Sequence, residues 1–297
     1  MDQATISHKI NEAIRLLSEV TAGLNQPAEN QPVLTAQSTN SFDDLKSLLF
    51  SDKWPNAVNP NLICDDNSED DKKERGNGIV ELVIEEPIPE TGKFLDFGCG
   101  EGHCVLAANE SFHCTCVGYD IKSHNWPTTP GTVFTTDFEA VKANGPYDVI
   151  LIFDLIDHVE SETPEAILEK AKSVLADNGK IYLRTHPWIS RHGTHVYKKL
   201  NKAFIHVVFT EDEIAKLVDG YTTEQNSHII HPLATYDGYF KSVGLNKDKQ
   251  QEIKDRVEPF FNTPMILQRI TANTNKEKLP EFQMSLSFVD YTLSKQA

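Results

Sequence analysis

No stretch of the 297-residue sequence holds eighteen consecutive apolar residues, so no segment reads as a membrane-spanning helix. The opening residues MDQATISHKINEAIRLLSEV lack the basic start and unbroken apolar core of a secretory signal. Cysteine is scarce and odd in number: Cys64, Cys99, Cys104, Cys114 and Cys116 make five, four of them in segments that read as packed core. A disulfide framework is therefore not expected, and reduced thiols in a cytoplasmic protein are. No metal site is read from them. Positive charge is short as well: 28 Lys and Arg face 44 Asp and Glu, a net charge of -16. That balance argues against generic binding to duplex nucleic acid, which rests on neutralising phosphates. The rest is ordinary for a soluble chain, at 39% hydrophobic and 24% charged.

Residues 5–24 read as a helix with apolar positions at alternating four-three spacing, the seam of a short coiled coil. Such an arm either pairs with another subunit as a homo-oligomer contact or lies on the main domain. Residues 25–41 are polar, proline-containing and aperiodic, and read as a flexible linker. A helical lead-in over 42–92 follows, with short helices expected at 43–50 and 72–86 and the acidic run 65–71 as a solvated loop or helix start. From Lys93 strands and helices alternate, with strands expected at 93–97, 114–121, 132–136, 147–156 and 179–185. Such alternation predicts a doubly wound, mostly parallel α/β sheet. Helices are expected near 194–218 and 234–261, making a helical insertion of about 188–262. Two last strands, 264–271 and 282–293, are expected to pair antiparallel and bring the sheet to seven. The domain so defined spans 93–297.

The first strand ends in Gly98-Cys99-Gly100-Glu101-Gly102. Gly98 permits a sharp turn, Gly100 a close approach of backbone to ligand, and Gly102 tight packing as the next helix begins. Asp120 closes the second strand, where an acidic side chain in a Rossmann-like unit accepts hydrogen bonds from ribose hydroxyls. A dinucleotide fingerprint would space its glycines Gly-x-Gly-x-x-Gly, which this turn does not. Glu101 would also repel a diphosphate at the helix start, but not a cationic ligand.

In FLDFGCGEGH, VGYDI, Thr136-Asp137-Phe138 and FDLIDHV the chain resembles the class I S-adenosylmethionine-dependent methyltransferases, over roughly residues 75–187. The resemblance implies S-adenosyl-L-methionine as cofactor. Asp96 and the backbone of Gly98, Gly100 and Gly102 would hold its methionine part, Asp120 its ribose, and Asp137 with Phe138 its adenine. Asp154 would face the amino-acid part or the acceptor. About ten residues, Lys122 to Gly131, join the second and third strands, barely room for a crossover helix, so the adenine side reads as a loop.

Active sites of open α/β sheets lie beyond the carboxyl ends of the strands. This places Asp154, Asp157 and His158 after the fourth strand and His186 and Trp188 after the fifth. Asp154, His158 and His186 are the catalytic candidates; packing at the helix start is an equal reading for His158. The segment 180–210 contains no Asp or Glu, yet holds six Lys and Arg and four His. It reads as an electropositive rim for a small or terminal anionic acceptor, with Arg184, Arg191, Trp188 and His195 as substrate-binding residues. Lys198, Lys199 and Lys202 read rather as a solvated helix face. Two other readings stand beside this one: a nucleic-acid or nucleotide methyltransferase using the same rim, and a non-catalytic methyltransferase-like interaction module. Salt dependence separates the first, and absence of cofactor binding marks the second.

Overall fold

The computed structural model describes residues 41–58, 68–158, 164–188, 190–191, 195–221, 233–254, 263–273 and 286–296. The arm expected at 5–24 lies outside them, as does the linker apart from Ser41. Residues from Phe42 onward form one compact unit, so the lead-in belongs with the sheet domain.

A helix α1 (Phe42–Leu49) is followed by α2 (Glu69–Val83). The described part of the acidic run, residues 68–71, is a helix start. Ser68 caps α2, its hydroxyl accepting from the Asp71 amide while the Asp71 carboxylate accepts from the Ser68 amide. Then come β1 (Lys93–Phe97), α3 (His103–Phe112), β2 (Thr115–Tyr119), β3 (Thr132–Thr135), α4 (Phe138–Asn144) and β4 (Tyr147–Phe153). The chain continues through α5 (Pro164–Val174), β5 (Leu175–Thr185), the short α6 (Ile205–Val208), α7 (Glu211–Leu217) and α8 (Leu233–Ser242). It closes with β6 (Leu245–Lys254), α9 (Pro264–Asn273) and β7 (Leu286–Lys295). The sheet order is β3-β2-β1-β4-β5-β7-β6. The first five strands pair parallel, and β7 runs antiparallel between β5 and β6. This is the expected seven-stranded, doubly wound α/β architecture.

Alternation along the strands splits the core between the two faces. Leu95 and Phe97 of β1 join α4, α5 and α8 on one face, whereas Phe94 joins α2 and α3 on the other. A third cluster holds Leu45, Leu49 and Trp54 against residues of 196–218 and Ile266 and Ile270 of α9. Among the described residues no helix is long and apolar enough to cross a membrane.

Two expectations near the end of the chain are corrected. The antiparallel partner of β7 is residues 245–254, not 264–271, and it ends the helix expected over 234–261 at Ser242. The expected insertion 188–262 thus contains a sheet strand. Residues 264–273 are helical because Ile266 and Ile270, one turn apart, both enter the third cluster. As the sequence implies, β2 and β3 are joined by a loop without a helix.

Candidate cofactor and acceptor site

The glycine turn is built as its spacing requires. Gly98, Gly100 and Gly102 have φ of 92°, 50° and 89°, the left-handed region that side chains resist. A Cβ at Gly102 would stand 2.4 Å from the Phe134 ring, so that position has no room for one. At Gly100 a Cβ would meet nothing within 4 Å: the backbone is bare toward open space. On the far side α2 approaches closely, since Gly76 lets it lie against the His103 backbone. Lys72 and Arg75 of α2 thereby line a pocket of about 440 Å³ together with Asp96, Gly98, Gly100 and Phe153. A larger groove of about 1050 Å³, flanking α3 and the β2–β3 loop, shares Lys72, Glu101 and His103 with it. Glu101 is held at this junction by Lys72 at 2.8 Å and His103 at 3.3 Å.

Three carboxylates bear on this region: Asp96 lines the smaller pocket, and the charges of Asp120 and Asp154 act on its lining residues Asp96 and Cys104. Asp96, at the carboxyl end of β1, is buried, and burial together with the charge of Asp120 pushes its carboxyl up to about 7. Asp120 accepts from the Gly100 amide at 2.9 Å and the Lys122 amide at 3.0 Å. Asp154 follows β4 with a left-handed φ of 48°, a conformation costing a non-glycine residue about 1 kcal/mol or more. Its Oδ1 is sealed from solvent and has no hydrogen-bond partner among the described residues. Burial, then the neighbouring Asp157, raises the Asp154 carboxyl to about 7 against the opposing pull of His186, Arg75 and Arg184. Two buried carboxylates, one in β1 and one just beyond the neighbouring parallel strand β4, could accommodate positive charge. Burial and the Asp96 charge keep the thiols of Cys99 and Cys104 protonated, so both serve as apolar wall.

Beyond β5 lies a buried pair. His186 Nδ1 stands 2.5 Å from Asp157 Oδ2, the two side chains 4% and 0% exposed. Burial opposes the imidazolium, but the pairing with Asp157 and the charge of Asp154 outweigh it and raise the His186 pKa. The sequence marks Asp157 only by its place after the fourth strand, and its partnership with His186 was not legible there.

The remaining candidates make these contacts. Asp137 caps α4 by accepting from the Glu139 amide, and the Phe138 ring packs on Phe97 and Tyr119. Arg184 gives both Nε and an Nη to Asp290 at 2.6 Å, between the rings of Phe153 and Phe288. Lys180 pairs with Asp248 at 2.6 Å. Two cations of the acid-free segment, Lys180 and Arg184, therefore find their counter-charges on β6 and β7. Trp188 sits edge-on to His206, whose Nε2 is 2.6 Å from the Trp188 carbonyl oxygen, and Arg191 donates to the Asn56 carbonyl. The side chains of His158 and His195 lie outside the described residues. Among the described residues no cluster of His, Cys, Asp and Glu is arranged to hold a metal ion. Sequence reasoning passed over Arg75, Phe134 and Trp126; the last was legible only as a lone tryptophan in a short polar loop.

The fold is a doubly wound α/β sheet with a pocket at the carboxyl end of β1, lined also by Phe153 at the end of β4. The methyltransferase-domain family model matches residues 73–246, more than half of the chain, and the chain belongs to that family. Among solved structures it is similar to the 1,6-didemethyltoxoflavin-N1-methyltransferase of Burkholderia thailandensis, at 10% identity and TM-score 0.44 over 77% of this chain and 80% of that one. It is likewise similar to an S-adenosylmethionine-dependent methyltransferase of Archaeoglobus fulgidus, at 14% identity and TM-score 0.44 over 77% and 95%. No curated protein matches the sequence.

Proposed function

We propose that this chain is an S-adenosylmethionine-dependent methyltransferase. The observation that carries the reading is the pair of buried carboxylates, Asp96 and Asp154, at the strand ends around the glycine turn. The cofactor brings two positive groups, an ammonium and a sulfonium, and supplies an activated methyl group. Asp96 and Asp154 would compensate the cations, and Arg75 of the pocket lining would take the carboxylate. Asp120 would accept from the ribose hydroxyls. Ile121, 79% exposed immediately after it, offers apolar surface to a flat base.

The acceptor belongs at the carboxyl ends of β4 and β5, beside Asp154 and His186. Transfer forms a bond from the acceptor atom to the methyl carbon as the carbon–sulfur bond breaks, sulfur keeping the electron pair. Positioning does most of this work. Where the acceptor must lose a proton, His186, oriented by Asp157, is the group to take it. Of the two arginines considered for a small anionic acceptor, the Arg184 fork is taken by Asp290 and Arg191 donates to the Asn56 carbonyl.

Titration calorimetry with S-adenosylmethionine and S-adenosylhomocysteine tests the reading. Binding that Asp120→Ala weakens at least tenfold is expected, followed by labelled-methyl transfer into one of the small-molecule, protein or nucleic-acid fractions of an extract. No heat of binding by the wild-type chain would overturn the proposal.

A further inference from the structure

The loop between β2 and β3 does more than close a short connection. Trp126 in that loop stacks on Phe134 of β3, ring centroids 5.5 Å apart and planes 13° from parallel. Phe134 in turn fills the space beside the glycines: a Cβ at Gly102 would meet it at 2.4 Å and one at Gly118 at 2.6 Å. From this platform the Trp126 indole N–H reaches the Gly100 carbonyl at 2.7 Å. On the other side of the same residue the Gly100 N–H donates to Asp120 at 2.9 Å. Both polar groups of Gly100 are thus fixed by the end of β2 and the loop after it, while its Cβ direction is left open. A glycine without such ties samples many conformations, and binding has to select one of them.

We infer that Trp126 is a positioning residue for the cofactor: with Asp120 it clamps Gly100 in the ligand-receiving conformation and leaves its bare face to the pocket. The clamp ties the turn to the loop that joins β2 to β3 without a helix. The clamp stands on the geometry alone, and the consequence for affinity rests on the cofactor reading above.

Trp126→Phe keeps a ring to stack on Phe134 and removes only the N–H, and Trp126→Leu removes both. All measurements are made well below the melting transition, where each variant is folded. Without ligand, amide hydrogen exchange over residues 98–102 is expected to speed up in Trp126→Phe relative to wild type. S-adenosylhomocysteine is expected to bind that variant about five- to tenfold more weakly, the loss of one hydrogen bond's net worth. A merely structural tryptophan would lower the melting temperature and leave both readouts of the folded protein alone. Unchanged exchange in the turn, or affinity within about twofold of wild type, overturns the inference. Trp126→Leu binding as well as Trp126→Phe would reduce the role to the N–H and refute the stacked platform. Failure of the wild-type chain to bind the ligand would sink the cofactor reading instead, while the exchange result still decides the clamp.

Discussion

Acidification from pH 7 to pH 6 is expected to weaken the binding of S-adenosylmethionine, and the size of the effect follows from Asp96 and Asp154. In the free protein both carboxyls sit at about 7, raised chiefly by burial and then by Asp120 and Asp157 respectively. A cation bound beside them favours the ionised form, so each pKa falls on binding and protons are released. At pH 7 about half of each carboxyl is ionised, and at pH 6 about a tenth. Affinity follows the ionised fraction: about fivefold weaker at pH 6 for one responding carboxyl, and about 25-fold for two acting independently. Asp120, Asp157, His186, Arg75 and Arg184 face these groups; protonation of His186 holds Asp154 ionised to lower pH, pulling the result toward the smaller figure. Both pH values lie below the range where an α-amino group loses its charge, so the ligand stays cationic throughout. Calorimetry in two buffers of different ionisation heat reads affinity and proton release together, with about one proton released at pH 7. Equal affinity at pH 6 and 7, with heats independent of buffer, would refute the assignment of the cation to these carboxylates.

The same groups bear on stability. A carboxyl whose folded pKa is raised gives the folded state extra protons between its unfolded and folded values, so stability falls as pH rises from about 4 to about 7. Asp154→Asn removes one such group, and asparagine tolerates the left-handed backbone there. The ligand-free variant is expected to melt higher at pH 7.5 by about 1 kcal/mol of stability, while binding cofactor at least tenfold more weakly. Asp290→Asn leaves Arg184, its side chain 9% exposed, without its counter-charge and should cost about 3 kcal/mol in urea unfolding. Gly100→Ala and Gly102→Ala separate binding from folding. The alanine at 100 projects into open space, costing about 1 kcal/mol of backbone strain and most of the affinity. The alanine at 102 drives into Phe134 and is expected to lower the melting temperature by several degrees.

The parallel half of the sheet was legible because β4 is a near-continuous apolar run and β1, β2 and β4 are each followed by glycine or aspartate. β6 was not, and LNKDKQQEIK shows why. It is an edge strand paired only with β7, mostly exposed, so nothing selects apolar residues at alternate positions. The reverse error at 264–271 arose from apolar and β-branched residues that favour strands in isolation, yet Ile266 and Ile270 serve a helix face. In the site, Asp96 and Asp120 could be found because a short motif carries them. The engagement of Arg184 could not, because Asp290 comes from a strand more than a hundred residues away, directly opposite in the β5–β7 register. A local surplus of positive charge says little about the field it makes once strands from elsewhere lie beside it.

The position of β7 has a consequence for how the chain is made. Among the described residues β6 has no neighbour other than β7, and the outer edge of β5 is covered by that same strand. On a ribosome, β6 emerges some thirty residues ahead of this partner strand, an interval of seconds at ordinary elongation rates. Through that interval β5 presents an unpaired apolar edge, the kind of template that recruits other chains. Lys247, Lys249 and Lys254 make the polar β6 poor bait for such pairing, so the composition of this edge strand works against association before β7 is available.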